Sequence, residues 1–347
     1  RRRLGEENVF FLAGLDENSQ KTTQAAEKAG VDINAYIDDM AKKWRQTWKS
    51  LEITNDDFIR TTEKRHKDFA REFFKKVYDA GDIYKGKYEG WYCVGCEAYK
   101  TENELEDGNC TIHQKKVEWL SEENYFFKLS KYGNQILAHV EKNPDFISPP
   151  ERKNEVISFI KGGLEDISVT RSTLKWGIVE PIEEKQVIYV WFDALLNYIS
   201  ANPEKWPADL HIVGKDILRF HAIIWPAMLL SAGYPLPKKV FGHGFFTIDG
   251  VKISKSLGNA IDPVEIKEKY GNDTLRYFLF REIPFGSDGD FSFDRLGQVY
   301  KGELSNGLGN LIARVAKLSE QIELETKPQD IQEAKEYLEA FENVKLH

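Results

Sequence analysis

The sequence predicts an α/β protein with a split, doubly wound parallel sheet of Rossmann-like topology, a metal-containing insertion and an α-helical C-terminal region. Three observations predict this fold. Short apolar runs alternate with helical segments on both sides of an inserted block, the three cysteines lie inside that block between Cys93 and Cys110, and the pattern becomes mostly helical after Asn272. Strands alternating with helices form parallel sheets, and ligands collect at the carboxyl ends of their strands.

The first eighty residues are predicted to contain one strand followed by helices. Val9 to Leu12 are apolar and precede Gly14, so we expect a buried strand that leads into a turn. The predicted helices run from Gln20 to Ala29, from about Ala35 to Leu51 and from Lys64 to Ala80. The last of them places Phe69, Phe73 and Val77 on one face, which is typical of a helix packed against a core.

From about Ile83 to Pro181 short apolar runs and tight turns indicate an insertion, with a helix near Asn154 to Lys161. The alternation then returns, with strands expected at Val187 to Trp191, Leu210 to Val213 and Val240 to Gly242, and helices at Asp193 to Ser200 and Ile217 to Ser231. Leu304 to Leu318 carries a helical apolar face of Leu308, Leu311 and Val315, which suggests the start of a bundle.

These patterns divide the chain into five segments. We expect the first part of the Rossmann-like domain at 1–82, the insertion at 83–185, the second part of the domain at 186–244, a stem-contact region around a lysine-rich loop at 245–300, and the start of a helical domain at 301–347.

Composition narrows the class of protein. The 347 residues are 41% apolar and lack a run of about 18 apolar residues or a secretory leader, so we expect neither a membrane span nor secretion. A net charge of −8 argues against indiscriminate polyanion binding but leaves RNA recognition through a local basic surface open. Three clustered cysteines indicate a metal in a reduced compartment, and hence a cytoplasmic protein.

The cysteine cluster has the spacing of a zinc site. Cys93-x2-Cys96 and Cys110-x2-His113 are separated by thirteen residues, and two such knuckles bring four ligands into a tetrahedron. The four ligands leave no open position, so the zinc is expected to be structural. The alternative is that these are ordinary core cysteines beside a chance histidine.

A second motif lies in the lysine-rich loop, where Lys252-x-Ser254-Lys255-Ser256 could surround a triphosphate. A solvated surface turn is the alternative. The motif follows a strand-like segment from Phe241 to Phe246. In this setting the loop resembles the Lys-Met-Ser-Lys-Ser loop of class I aminoacyl-tRNA synthetases, with Ile253 in place of methionine.

Two further segments, Trp191 to Tyr198 and Asp216 to His221, are similar to the methionyl-tRNA synthetase family in particular, and the similarity covers nearly the whole chain. The resemblance implies a methionine pocket with Asp16 at the amino group, Arg171 and Asp216 in support, and side-chain walls formed by Trp191, Leu195, Tyr198, Ile217 and His221. Aromatic walls suit a polarizable thioether, although a buried Trp alone is more often plain core packing.

The resemblance also implies the reaction and its partners. The methionine carboxylate attacks the α-phosphorus of ATP, bound with Mg²⁺, and methionine then passes to tRNA(Met). Lys252 and Lys255 would stabilise the departing pyrophosphate as catalytic residues, with Ser254 and Ser256 completing the ATP contacts. Asn310 and Arg314 match an anticodon-contacting pair, for which an ordinary solvated helix face is the alternative.

The chain departs from the family pattern in two places. After the first strand it has Asn18 where the family usually has histidine, in the stretch Leu15 to Lys21. It contains no His-x-Gly-His, the second ATP element, which in the family lies upstream of the segment where this chain begins. We therefore expect a family member shortened at its N-terminus and within its anticodon-binding domain, and inactive in this form.

Two rival functions remain open from the sequence. One is another class I synthetase, such as those for leucine, valine, isoleucine or cysteine, whose lysine loops are similar. The other is a non-catalytic fragment that folds and binds zinc. The oligomeric state is open.

Overall fold

The computed structural model describes residues 8–94, 98–112, 114–248, 251–253, 261–284 and 286–320. The chain divides into two compact units: a first unit, Arg1–Lys49 with Ile53–Gly242, and a second unit, Ser50–Glu52 with His243–His347. Among the described helices, none has the length and apolar character needed to cross a membrane.

Helices and strands alternate through much of the described chain. The α-helices are α1 (Gln20–Ala29), α2 (Ile33–Ser50), α3 (Lys64–Asp79), α4 (Gly133–Lys142), α5 (Pro150–Lys161), α6 (Val190–Ala194), α7 (Asn197–Ser200), α8 (Trp225–Ala232), α9 (Pro263–Tyr270), α10 (Asn272–Glu282), α11 (Phe293–Val299) and α12 (Asn310–Ser319). The strands are β1 (Leu12–Leu15), β2 (Asp57–Arg60), β3 (Ile83–Cys93), β4 (Ala98–Lys100), β5 (Leu105–Glu106), β6 (Asn109–Cys110), β7 (Glu118–Phe127), β8 (Ile147–Ser148), β9 (Ile167–Ser168), β10 (Thr170–Arg171), β11 (Val187–Ile188), β12 (His211–Gly214), β13 (Val240–His243), β14 (Phe246–Ile248), β15 (Val251–Lys252) and β16 (Gly289–Phe291).

The bounds of helix α1 are set by the capping residues at its two ends. The Ser19 hydroxyl accepts a hydrogen bond from the backbone N–H of Thr22 at 3.1 Å, and Gly30 closes the helix in the left-handed region at φ 68°. The predicted helix from Gln20 to Ala29 is confirmed. In α3 the predicted apolar face is also confirmed, since Phe73 and Val77 are buried.

Strand β1 lies three residues later than the sequence predicted. It pairs in parallel with β2, from Leu12 opposite Asp57 to Leu15 opposite Arg60. The predicted strand from Val9 to Leu12 is therefore wrong, because Gly14 lies inside the strand instead of in a turn. A Cβ atom at Gly14 would lie 2.3 Å from the Ile59 carbonyl oxygen, so the glycine permits close packing of the two strands.

The block predicted as an insertion contains an antiparallel sheet in the order β4-β3-β7-β9. β3 and β7 pair along a continuous ladder from Ile83 opposite Phe127 to Tyr92 opposite Glu118. Cys93 ends β3 at the far end of this ladder. Cys93 thus lies in a small apolar cluster that is separate from the main core.

The main core of the first unit forms where α3, α6 and α8 meet. Phe73, Phe74, Phe127, Phe192 and Trp225 are among its fully buried side chains. A three-stranded sheet in the order β12-β13-β8 packs here, with β13 parallel to β8. Strands were predicted at both β12 and β13, and both predictions are confirmed to within one residue.

Two predictions next to this core are wrong in detail. β11 ends at Ile188 and α6 begins at Val190, so the expected strand does not reach Trp191. A continuous apolar run is compatible with a buried strand or a buried helix, and periodicity cannot separate them. The expected helix from Ile217 to Ser231 is interrupted, because a π-helical turn at Phe220–Ile224 precedes α8.

The second unit has its own small core around Phe278, Phe291 and Leu296. Its sheet has the order β15-β14-β16, so β16 is a strand inside a region predicted to be mostly helical. The predicted helix from Leu304 to Leu318 is a π-helical stretch, Tyr300–Gly309, followed by α12. Its apolar residues Leu308, Leu311 and Val315 are exposed.

Candidate functional site

Trp191 and Phe220 form one wall of an aromatic cluster in the first unit. Their rings stack at 4.0 Å between centroids with 14° between planes. The His221 ring meets Trp191 almost at a right angle, at 6.3 Å and 82°. Helix α6 supplies Trp191 and the π-helical turn supplies the other two, so the backbone irregularity at 220–224 positions the site.

His221 is held by hydrogen bonds on both ring nitrogens. Its Nε2 lies 2.7 Å from the Tyr198 hydroxyl, and its Nδ1 lies 2.9 Å from the Ile217 carbonyl oxygen. Burial lowers the pKa of His221 to about 4, although the bond to the Ile217 carbonyl opposes this shift. The neutral ring must then donate from Nδ1 to the carbonyl and accept at Nε2 from the tyrosine.

A second buried histidine, His211, stands behind Tyr198 with a ring distance of 4.3 Å. Burial, together with repulsion from the His221 ring when that ring is protonated, lowers the pKa of His211 to about 3. Burial also raises the pKa of the Tyr198 hydroxyl, which therefore stays protonated. All three groups are neutral near pH 7, so the aromatic cluster is polar but carries no charge.

The sequence did not single out three members of this cluster, Phe220, His211 and Trp225. His211 begins β12 and Trp225 begins α8, and the Trp225 ring lies 6.3 Å from Tyr198. Within the described residues, His211 Nε2 and Trp225 Nε1 are buried without a hydrogen-bond partner. The sequence signal for His211 is a polar residue at the start of an otherwise apolar strand, which is weak because core histidines are common.

Three other residues expected at the methionine site, Leu195, Ile217 and Asp216, differ in how deeply they are buried. Leu195 is fully buried within the main core. Ile217 is half-buried against that core, beside the carbonyl that orients His221. Asp216 is exposed.

Asp16 follows β1 and is exposed, whereas the next residue of its loop, Glu17, is buried. The buried Glu17 carboxylate accepts from Arg60 Nε at 2.8 Å and from the Thr62 hydroxyl. The Glu17 carbonyl accepts from Trp176 Nε1 at 2.9 Å. These contacts fix the loop that presents Asp16.

A cavity of about 250 Å³ lies beside Asp16 and Lys21, with Tyr36, Met40 and Trp44 among its walls. Its lining, within the described residues, does not include the aromatic cluster.

Arg171 is almost fully buried. Its Nη1 donates to the Thr170 carbonyl at 2.7 Å and to the Ser168 hydroxyl at 3.0 Å, and its guanidinium lies 4.2 Å from the centre of the Tyr189 ring. Tyr189 immediately precedes α6, so the arginine is packed against the segment that leads to Trp191.

Two of the four predicted zinc ligands lie together. Cys93 and Cys110 are both 1% exposed and pack in one small cluster with Val117. A tight turn follows Cys110, with the backbone N–H of Gln114 donating to the Cys110 carbonyl at 2.7 Å. Cys96 and His113 lie outside the described residues, and no metal-binding group of three or more ligands occurs among the residues that are described.

The predicted ATP and anticodon residues belong to the second unit. Lys252 lies in β15, opposite Thr247 of β14, whereas Ser254, Lys255 and Ser256 lie outside the described residues. Asn310 and Arg314 are exposed on α12, one turn apart.

Comparison with known proteins adds independent evidence. The model of the family "tRNA synthetases class I (M)" matches residues 1–106 and 98–316. The methionine–tRNA ligase of Thermotoga maritima is 51% identical over 90% of this chain and 52% of its own length. That of Caldanaerobacter subterraneus subsp. tengcongensis is 50% identical over 92% of this chain and 52% of its own length. The chain thus spans about half the length of these curated relatives.

A solved structure shares the fold. Mycobacterium tuberculosis methionyl-tRNA synthetase, in complex with methionyl-adenylate, superposes with a TM-score of 0.90 at 42% identity, over 99% of this chain and 72% of that chain. The α/β fold predicted from the sequence is confirmed at this level. By sequence and by structure, the chain belongs to the family of class I tRNA synthetases (M).

Proposed function

We propose that the protein to which this chain belongs is a methionine–tRNA ligase, which activates methionine with ATP and transfers it to tRNA(Met). The observation that carries the proposal is the uncharged aromatic cluster, which includes Trp191, Tyr198 and His221 and in which both ring nitrogens of His221 are already hydrogen-bonded. The names of the relatives support methionine over leucine, valine, isoleucine or cysteine as the amino acid.

The cluster suits a thioether for physical reasons. A methionine sulfur is polarizable and makes favourable contacts with aromatic rings, but it is a poor hydrogen-bond acceptor. A charged wall would stay hydrated and disfavour it. Trp191, with Leu195 and Ile217 as apolar neighbours, supplies contact area, while the neutral His221 presents a ring without a free charge.

We place the charged part of methionine at the other residues implied by the family resemblance. Asp16 would bind the ammonium group, with Arg171 and Asp216 in support. The fixed backbone of Glu17 supports this role, because the loop presenting Asp16 is anchored by a buried carboxylate before any ligand arrives.

For the chemical step we propose that ATP, bound with Mg²⁺, lies at the lysine-rich loop of Lys252, Ser254, Lys255 and Ser256. Lys252 and Lys255 would stabilise negative charge on the departing pyrophosphate, Lys255 most directly. The methionyl-adenylate in the solved relative supports ATP as the second substrate. Asn310 and Arg314 would contact the tRNA anticodon; their exposure on one side of α12 supports this role.

We further propose a structural zinc ion held by Cys93, Cys96, Cys110 and His113. Two buried thiols in one cluster beside a tight turn are the arrangement that a zinc knuckle requires. Elemental analysis should then give about one zinc per chain, since four ligands fill one tetrahedral shell. A metal-free preparation that is fully folded would contradict this site.

The finer architecture is proposed on the same basis. The two parallel strand pairs, β1 with β2 and β13 with β8, support one split Rossmann-like sheet, and the antiparallel ladder of β3 and β7 supports 83–185 as the insertion. We propose 1–82, 186–244, 245–300 and 301–347 for the remaining segments. We also propose a cytoplasmic location, because three clustered cysteines indicate a metal in a reduced compartment.

The test is methionine-dependent exchange of pyrophosphate into ATP by the full-length protein, beside its Lys255→Ala variant. We expect exchange with methionine and not with leucine, and a rate lower by about 100- to 1000-fold in the variant, because a preorganised contact to developing charge is lost. Absence of methionine-dependent exchange in the wild type would overturn the proposed function. An unchanged rate in Lys255→Ala would remove only the role of the loop.

A further inference from the structure

Four buried polar side chains connect three distant parts of the first unit. Asn18 Nδ2 donates to Asp193 Oδ2 at 2.7 Å, Asp193 Oδ1 lies 2.5 Å from His66 Nε2, and His66 Nδ1 lies 2.8 Å from the Ser200 hydroxyl. Their exposure is 3%, 0%, 0% and 6% in the order Asn18, Asp193, His66 and Ser200. We call these four residues the polar bridge.

The order Ser200, His66, Asp193 resembles that of a hydrolytic triad, but the surroundings exclude that role. A nucleophilic serine must be reached by its substrate, whereas these groups are enclosed. Both carboxylate oxygens of Asp193 are engaged, one by His66 and the other by Asn18. The polar bridge is therefore a structural link and not a second catalytic centre.

Two members of the polar bridge, Asn18 and Asp193, are close in sequence to the residues proposed to bind methionine. Asn18 lies two residues after Asp16, and its amide also donates to the Thr61 carbonyl at 3.2 Å. Asp193 belongs to α6, two residues after Trp191 and two before Leu195. A single hydrogen bond between Asn18 and Asp193 thus joins positions 175 residues apart in the sequence.

We propose that Asp193 is a positioning residue that fixes the loop bearing Asp16 against the helix bearing Trp191, with Asn18 as the donor that makes the connection. This inference rests on the proposed function. Amino acid recognition needs the ammonium contact and the side-chain wall at a constant separation, and the polar bridge sets that separation through groups that do not touch the substrate.

The polar bridge requires a hydrogen-bond donor at position 18 and does not require the shape of an asparagine side chain. A buried carboxylate oxygen that loses its hydrogen bond is strongly destabilised, so the loop would shift to recover a partner. Alanine at position 18 removes the donor, and aspartate replaces it with a second carboxylate beside Asp193. Histidine, the usual residue of the family at this position, restores an N–H group.

The chain offers a matched control in a second buried carboxylate. Asp82 is 2% exposed and accepts from Lys131 Nζ at 2.6 Å, from the Tyr132 hydroxyl and from the Ser231 hydroxyl at 2.8 Å. None of these partners belongs to the proposed methionine site. Asp82→Asn therefore disturbs a comparable buried network without moving Asp16 or Trp191.

The experiment measures kcat and the KM for methionine in pyrophosphate exchange by the full-length protein and its Asn18→Ala, Asn18→His, Asn18→Asp and Asp82→Asn variants. For Asn18→Ala we expect KM to rise about tenfold with little change in kcat, because one charge-assisted hydrogen bond that orders the site is lost. Asn18→His should restore KM, Asn18→Asp should raise it further, and Asp82→Asn should leave it unchanged. Near-ultraviolet circular dichroism confirms that each variant is folded.

The outcomes separate the inference from the proposed function. An active wild type in which Asn18→Ala and Asp82→Asn have the same methionine KM would overturn the positioning role, since the polar bridge would then contribute only to stability. Failure of Asn18→His to restore KM would also overturn it. A wild type with no methionine-dependent exchange would refute the proposed function, and this inference with it.

Discussion

Two histidines of the first unit, His221 and His66, are both almost fully buried, but their hydrogen-bond partners differ. His221 is 1% exposed and bonds a tyrosine hydroxyl and a backbone carbonyl, whereas His66 is 0% exposed and bonds a carboxylate and a serine hydroxyl. The first arrangement keeps a ring neutral beside the proposed ligand. The second arrangement links the His66 ring to the Asp193 carboxylate and so joins two helices that are distant in sequence. Burial alone therefore does not assign a role to a histidine, whereas the hydrogen-bond partners of its ring nitrogens do.

The largest expected effect on stability is that of removing Asp193, the carboxylate partner of His66. Replacing Asp193 by Leu leaves His66 Nε2 without an acceptor and removes one acceptor of the Asn18 amide. We expect the free energy of unfolding to fall by about 2 to 3 kcal/mol, because a buried hydrogen-bond donor of His66 is left unsatisfied. Urea unfolding followed by tryptophan fluorescence measures it. A loss no larger than that in Tyr198→Phe would erase the distinction between the two histidines.

A smaller effect should appear as a pH dependence of the free energy of unfolding, caused by the buried neutral ring of His221. The pKa of His221 falls from 6.5 to about 4 on folding, so the unfolded chain binds more protons between these values and stability must fall as the pH falls through this window. The slope should be about 1.4 kcal/mol per pH unit for this group. His211, with its pKa lowered to about 3, adds to the loss in the same direction.

Urea unfolding at several pH values measures this slope, and His221→Gln is the test variant because glutamine does not titrate. We expect the variant to lose part of the slope between pH 6.5 and 4. A wild type whose stability is constant over this window would show that His221 is not kept neutral by its surroundings.

The smallest expected effect on stability is that of Tyr198→Phe. The change removes the donor to His221 Nε2, so we expect methionine affinity to fall about tenfold while the free energy of unfolding changes by only about 1 kcal/mol. Calorimetric titration with methionine measures the affinity. Tyr234→Phe is the control, since Tyr234 packs on Phe73 and lies outside the aromatic cluster. Equal affinities in the two variants would show that the orientation of His221 does not matter.

The sequence predicted correctly those elements whose bounds depend on neighbouring residues. Helix α1 has its serine cap, its glycine stop and ten residues of helix formers between them, and its bounds were predicted correctly. The position of β1 was not, because Gly14 is required by the approach of Ile59, a residue 45 positions away. The same limit applies at α6, where a run of buried apolar residues gave no period that separates helix from strand.

The candidate site shows the same division between local and distant signals. Family resemblance identified Trp191, Tyr198 and His221, and the structure brings their rings together. It did not identify His211 or the link from Asn18 to Asp193, because a hydrogen bond between residues 175 positions apart leaves no pattern in one sequence. The roles of Ser254, Lys255, Ser256, Cys96 and His113 remain predictions, since these residues lie outside the described part of the chain.

In the proposed site, an uncharged aromatic cluster selects the methionine side chain by polarizability and shape. Titration of the full-length protein with methionine, norleucine and leucine measures this selection. We expect methionine to bind more tightly than norleucine, which lacks the sulfur, and leucine to bind at least about tenfold more weakly than methionine because its branched chain does not fit the same walls. Equal affinity for leucine and methionine would show that the cluster does not select the methionine side chain.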